Sequence, residues 1–131
     1  MAADTRELGA VFAGGAIGAV ARAETVQALP TTAGAWPWAT FVVNCIGALM
    51  LGYFVTRLTE RLPPSAYRRP FVGTGICGGL TTFSTMQVEL LQMLDRDRLA
   101  LALAYAAASI AAGAAGVLLA SNFVRRGGAT A

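Results

Sequence analysis

The fold of this chain turns on one stretch, Gly75-Ile76-Cys77-Gly78-Gly79-Leu80-Thr81-Thr82-Phe83-Ser84-Thr85. With Gly73 it places four glycines and then a hydroxyl run inside an apolar block reaching from Phe71 to Leu94. Glycine costs a helix about 1 kcal/mol relative to alanine, and threonine is stiff at χ1, so the string is poor helix material. Within an apolar block it reads as a helix that breaks inside a membrane. Such a break is tolerated where the freed backbone groups find partners or line a cavity.

The rest of the sequence agrees with that setting. Hydrophobic residues make up 56% of the 131 residues and charged residues 13%, about half the charged fraction of a soluble domain. The apolar residues come in long blocks and not at core periodicity. Four spans are expected, at about 8–29, 38–58, 70–94 and 98–124, forming one all-α membrane domain over residues 1–131. The uncharged part of the first, Leu8 to Ala21, is short, which places Arg22 and Glu24 near an interface or a wet vestibule. A signal peptide is the competing reading of that block, helped by Ala19-Val20-Ala21 and opposed by Asp4, Glu7 and the repeated glycines. Pro30 to Pro37 makes the first connection, with Trp36 and Trp38 as interfacial anchors. Pro63-Pro64 closes the second, and Asp95-Arg96-Asp97-Arg98 forms a tight polar turn. These connections are too brief to hold a soluble catalytic domain.

The net charge of +3 comes from arginine, without lysine or histidine. Arg57, Arg61, Arg68, Arg69, Arg125 and Arg126 flank the apolar blocks, where membrane proteins place them to fix topology, so nucleic acid is not the expected partner. Without histidine the chain lacks the usual acid–base residue at neutral pH and the commonest metal ligand. Cys45 and Cys77 lie in different blocks and read as small apolar fillers.

Helix periodicity then sorts the candidate residues. Gly14, Gly18 and Arg22 share one face at i, i+4, i+8, a seam for close helix approach. Arg22 either neutralises Glu24 or draws anions to a pore mouth. Thr40, Asn44, Ala48 and Gly52 make a stripe on the second span. Asn44 either joins helices, donates its amide to a passing anion or fixes a pore-lining backbone. On the third span Phe83 and Met86 share a face beside a polar stripe of Thr82, Thr85, Glu89 and Gln92. An acid as deep as Glu89 is a functional candidate, with Arg22 or a hydroxyl as its partner. The fourth span adds Tyr105, Ser109 and Gly113. No lysine or arginine interrupts the middle of spans two, three or four. An anion path there would rely on hydroxyls, an amide and aromatic ring edges, which bind weakly enough to let the ion leave.

These residues resemble the Fluc (CrcB) fluoride channels along nearly the whole chain. The resemblance rests on Gly14-Gly15-Ala-Ile-Gly18-Ala-Val-Ala-Arg22, on Trp36-Pro-Trp-Ala-Thr40-Phe-Val-Val-Asn44-Cys-Ile-Gly47 and, above all, on the opening Gly75–Thr85 string. It implies an antiparallel, dual-topology dimer of four-helix subunits in the bacterial plasma membrane. Two fluoride pathways and a structural, untransported sodium ion at the interface would follow. Backbone carbonyls of Gly78 and Thr81 would ligate the sodium. Asn44 and Phe83 would line the pore with Thr82, Ser109 and Tyr105 nearby, and Arg22 would sit at the vestibule. Met86 stands where the family usually has a second phenylalanine, so one expected ring-edge contact is absent.

The implied activity is passive export. Fluoride enters as neutral HF, dissociates and is trapped, and the channel lets the anion leave, driven by about 2.3 kcal/mol per charge per 100 mV. Seven arginines on one side of the four spans against three on the other favour a single orientation. The partner is therefore a second copy or an oppositely inserted paralogue. Two other classes compete: a small proton-coupled multidrug exporter, for which Glu24 would be the carboxylate, and a non-transporting scaffold subunit, for which the glycine seams alone would suffice.

Overall fold

The computed structural model describes residues 4–128, and among them the chain is entirely helical outside its turns. Helix α1 spans Thr5–Ala28, started by the Asp4 side chain accepting from the Arg6 N–H at 3.0 Å. Helix α2 spans Trp38–Glu60. Arg69–Cys77 winds as a π-helix and runs into the single α-turn α3, Gly78–Leu80. Helix α4 spans Phe83–Asp95 and α5 spans Leu99–Gly127. The helices overrun the expected spans by a few residues at most of their ends, as fraying helix ends do.

The π-winding was not expected. Pro70 has no N–H to give, and Gly73 and Gly75 let the backbone adopt a wider turn against its neighbour. That neighbour is α1. At Gly14 a Cβ would run into the Phe71 carbonyl oxygen, and at Gly18 into that of Ile76. The glycine seam read from the sequence therefore packs backbone to backbone against Arg69–Cys77 and α3.

The other pair is α2 with α5. Gly52 lies against the Val117 backbone, and the Thr56 hydroxyl donates to Ser121 Oγ at 3.0 Å. Ser121 Oγ in turn donates to the Gly52 carbonyl at 3.3 Å, so the polar pair is satisfied where it is buried. The α4–α5 turn is tight because Asp97 adopts φ 56°, a left-handed position an aspartate tolerates. Arg98 Nη1 reaches back to the Gly34 carbonyl at 3.1 Å and pins the first connection over the same end of the molecule.

Helices α2 and α5 are each long and apolar enough to cross a membrane. Large side chains such as Phe12, Ile110, Leu119 and Phe123 are exposed along the outside. Water would not tolerate so much contiguous apolar surface on a monomer, whereas lipid does.

Candidate functional site

Between α3 and α4 two residues leave helical geometry: Thr81 (φ −79°, ψ 153°) and Thr82 (φ −148°, ψ 116°). Their backbone groups need partners, and one side chain supplies most of them. Asn44 Nδ2 donates to the Thr82 carbonyl at 3.1 Å, and Asn44 Oδ1 accepts from the Thr82 N–H at 2.8 Å. Of the three roles open to Asn44, the structure shows it holding backbone, with one amide hydrogen left to give. Thr82 also starts α4. Its Oγ1 accepts from the Thr85 N–H at 3.2 Å and donates to Thr85 Oγ1 at 2.9 Å. Thr81 closes the other side, its N–H and its hydroxyl both donating to the Cys77 carbonyl, at 3.0 and 2.9 Å.

Arg22 makes no ion pair with Glu24; its Nη1 donates to the Thr81 carbonyl at 3.3 Å. One turn of helix beyond Gly18, it follows the seam to the extended residues, where one of its donors is engaged by backbone.

These groups face an open groove of about 920 Å³ whose lining includes Asn44, Gly78, Thr81, Thr82, Phe83 and Gly113. Phe83 is 68% exposed, standing at the groove with its ring uncovered. Met86, expected on the same face, is only 8% exposed and packs with Met93, Ala102 and Tyr105. Three residues along α4 the side chain has turned under the helix, so the pair divides between groove and core.

Behind the groove lies a second polar cluster. Glu89 Oε1 accepts from the Thr40 hydroxyl at 2.6 Å, and Oε2 accepts from the Tyr105 hydroxyl at 2.8 Å. The partners are hydroxyls and not Arg22. The network ties α2, α4 and α5 together, and Tyr105 within it has no exposed surface. The Trp36 ring meets Tyr105 edge-on at 5.3 Å, and its Nε1 is buried without a hydrogen-bond partner. Ser109 Oγ, one turn beyond Tyr105, is also buried outside hydrogen-bond geometry.

The candidates thus separate into two sets. Asn44, Thr82, Phe83, Gly78 and Thr81 come together at the groove, while Tyr105, Met86 and Ser109 sit in or beside the core behind it. Thr40 was missed as a partner of Glu89. Its position one turn before Asn44 on the polar stripe was the available signal.

A family model described as "CrcB-like protein, Camphor Resistance (CrcB)" matches residues 9–121. Among similar proteins, one from Mycolicibacterium paratuberculosis named fluoride-specific ion channel FluC 1 is 58% identical over 94% of this chain and 93% of its own. A protein of the same name from Mycobacterium bovis is 59% identical over 94% of this chain and 93% of its own. A FluC 1 from Streptomyces coelicolor is 43% identical over 88% and 75% respectively. With its glycine seam, its clasped threonines and this extent of likeness, the chain belongs to the CrcB-like protein family.

Proposed function

We propose that this chain is a subunit of a fluoride-specific ion channel that passively releases cytoplasmic fluoride and so protects the cell from it. The observation that carries the reading is the 58% identity, over 94% of the chain, to a relative named for that activity. The groove chemistry supports it. Neutral donors converge at Thr81–Thr82, and the guanidinium nearest to them is engaged by a carbonyl. A small anion would meet the remaining Asn44 amide hydrogen and the Phe83 ring edge, and the Thr81 and Thr82 hydroxyls could serve it only by turning away from Cys77 and Thr85; such contacts replace some of its water and still release it.

The chain would cross the bacterial plasma membrane four times, with the third span interrupted at Thr81–Thr82. A partner inserted the other way round would cover the groove. Two features argue for a partner there: Phe83 is uncovered, and a Cβ at Gly78 would meet nothing within 4 Å. Relatives named FluC 1 and FluC 2 both occur, and the seven-to-three arginine bias suits an oppositely oriented paralogue as well as a second copy.

A structural sodium ion fits the residues present. The turn α3 ends at Leu80, which leaves its last carbonyls without helical donors. Cys77's carbonyl is taken twice, whereas that of Thr81 carries only the 3.3 Å contact from Arg22 and keeps a lone pair. Gly78 and Thr81 would hold the ion by backbone oxygen, the ligand a hard cation prefers. When bound, it supplies a fixed charge between two subunits. The exporter reading asks for a carboxylate deep in the first span, and Glu24 is exposed near the end of α1.

The test is anion release from liposomes containing the purified protein, alone and co-expressed with an oppositely charged-biased FluC 2-type paralogue. Fast fluoride release with negligible chloride release is expected from at least one preparation. Proton-linked cation uptake, or inert liposomes from both, would reject the channel.

A further inference from the structure

The C-terminal ends of α2 and α5 carry a second feature that shares no lining residue with the groove. Between them lies a cavity of about 260 Å³ whose walls include Tyr53, Arg57, Arg61, Phe123 and Val124. On the other face of Phe123 a groove of about 430 Å³ is lined by Leu119, Asn122, Phe123, Arg126 and Gly127. Phe123 divides the two and is 70% exposed, and Leu119 below it is 66% exposed.

The charges do not cancel here. Glu60, the acid at this end of α2, is held by Arg125 Nη2 at 2.8 Å and Nε at 3.2 Å. Arg61 Nη2 donates to the Arg125 carbonyl at 2.7 Å and ties the helices together. Arg57 lies over the Tyr53 ring at 5.9 Å and donates to its hydroxyl at 3.1 Å. The Arg126 side chain makes no hydrogen bond or ion pair among the described residues. Three guanidinium groups therefore line the two hollows, and among the described residues no carboxylate lines them; Glu60, the acid near Arg61, is already paired with Arg125. The two helix C-termini contribute roughly −0.5 charge each, which leaves about +2 uncompensated.

We propose that this is a binding site for an anionic phospholipid. The phosphate is taken by Arg57 and Arg61 beside Tyr53, and an acyl chain lies past Phe123 along Leu119 with Arg126 at its head. A guanidinium pair matches phosphate geometry, and arginines close to the span ends sit at headgroup depth. A free inorganic anion would satisfy the arginines but would have no use for an apolar wall that continues down α5.

The experiment uses the full chain in mild detergent, titrated with phosphatidylglycerol, phosphatidylcholine or inorganic phosphate. Lipid retention is read by native mass spectrometry and thermal unfolding. Phosphatidylglycerol should be retained and should raise the unfolding temperature. In R57Q/R126Q its affinity should fall by about tenfold or more. The control R68Q/R69Q, with the same charge loss on the same side, should bind as the parent does. Neither Arg57 nor Arg126 bonds another helix, so the double variant keeps the fold, and R57Q alone should show part of the loss. Equal weakening in both doubles would mean a diffuse positive surface and would overturn the site. So would equal retention of phosphatidylcholine, or the same stabilisation by inorganic phosphate alone.

Discussion

Replacing Asn44 with alanine removes both bonds to Thr82 at once and strands a backbone N–H and a carbonyl at the extended pair. Values from soluble proteins put each stranded group at about 1–3 kcal/mol, which would total about 2–6 kcal/mol. Polar contacts between membrane helices average closer to about 0.6 kcal/mol, with a maximum near 1.7, because the unfolded state in the membrane also finds partners. The second scale is the relevant one, since the bond joins Asn44 of α2 to Thr82, the extended residue at the start of α4, within an apolar chain. Two bonds then give about 1–3 kcal/mol. Asn44→Ala should therefore fold, unfold at lower temperature and lose most fluoride release, because Thr81 and Thr82 are no longer held beside the groove. Asn44→Asp keeps the acceptor for the Thr82 N–H but turns an oxygen toward the Thr82 carbonyl, and should be no better. Thermal unfolding in detergent and fluoride-electrode efflux from liposomes measure the two effects. Parental stability together with parental efflux in Asn44→Ala would refute the clasp as the element that holds the site.

Tyr105→Phe leaves one Glu89 oxygen without its hydroxyl partner and should cost about 0.6–1.7 kcal/mol in unfolding experiments on the same membrane scale; an unchanged unfolding temperature would contradict the network. Gly18→Val should prevent α1 from seating on the 69–80 segment, because its Cβ meets the Ile76 carbonyl, and should abolish monodisperse protein in size-exclusion chromatography. Gly9→Ala, where nothing lies within 4 Å, should be silent. Exchange of sodium for a large organic cation, during purification as well as assay, should lower both the unfolding temperature and fluoride efflux if carbonyls of Gly78 and Thr81 hold a structural sodium. Insensitivity of both readouts would remove the ion from the proposal.

The parts of this molecule that sequence makes legible are those written in local patterns. Apolar block length gave the helices, and the Gly14–Gly18 spacing gave the face that α1 buries. Glycines followed by Thr81-Thr82 marked the place where helical geometry stops. What lay beyond reach depended on partners distant in the chain. Asn44 and Thr82 are 38 positions apart, and nothing local selects backbone-holding over helix-joining for a buried amide. Arg22 pointed equally well to Glu24, to Glu89 or to an anion, and the close approach permitted by the glycine seam brings it to the Thr81 carbonyl instead of either acid. Phe83 and Met86 share a face on a helical wheel, yet the packing of α4 on α5 buries one and leaves the other open. The π-winding of Arg69–Cys77 arises from Pro70 and the glycines acting together under contact with α1, which single-residue propensities do not describe.

Glu89 is the residue whose presence most needs reconciling with anion conduction. At an effective dielectric of about 20, two like charges about 8 Å apart repel by about 2 kcal/mol, enough to slow a permeating anion thirtyfold. The chain meets this by position and by bonding. Glu89 is absent from the groove lining, and each of its oxygens is occupied by a hydroxyl, Thr40 on one side and Tyr105 on the other. Those hydroxyls come from α2 and α5, the two helices long and apolar enough to cross a membrane, so the acid ties α4 to both of them. Threonine and tyrosine do so without adding a positive charge that would trap an anion nearby. Arg22 follows the same logic from the other side: its guanidinium donates to the Thr81 carbonyl. Arg22 and Glu89 are thus each bonded to neutral dipoles, and the groove itself presents the remaining Asn44 amide hydrogen and the Phe83 ring to whatever enters it.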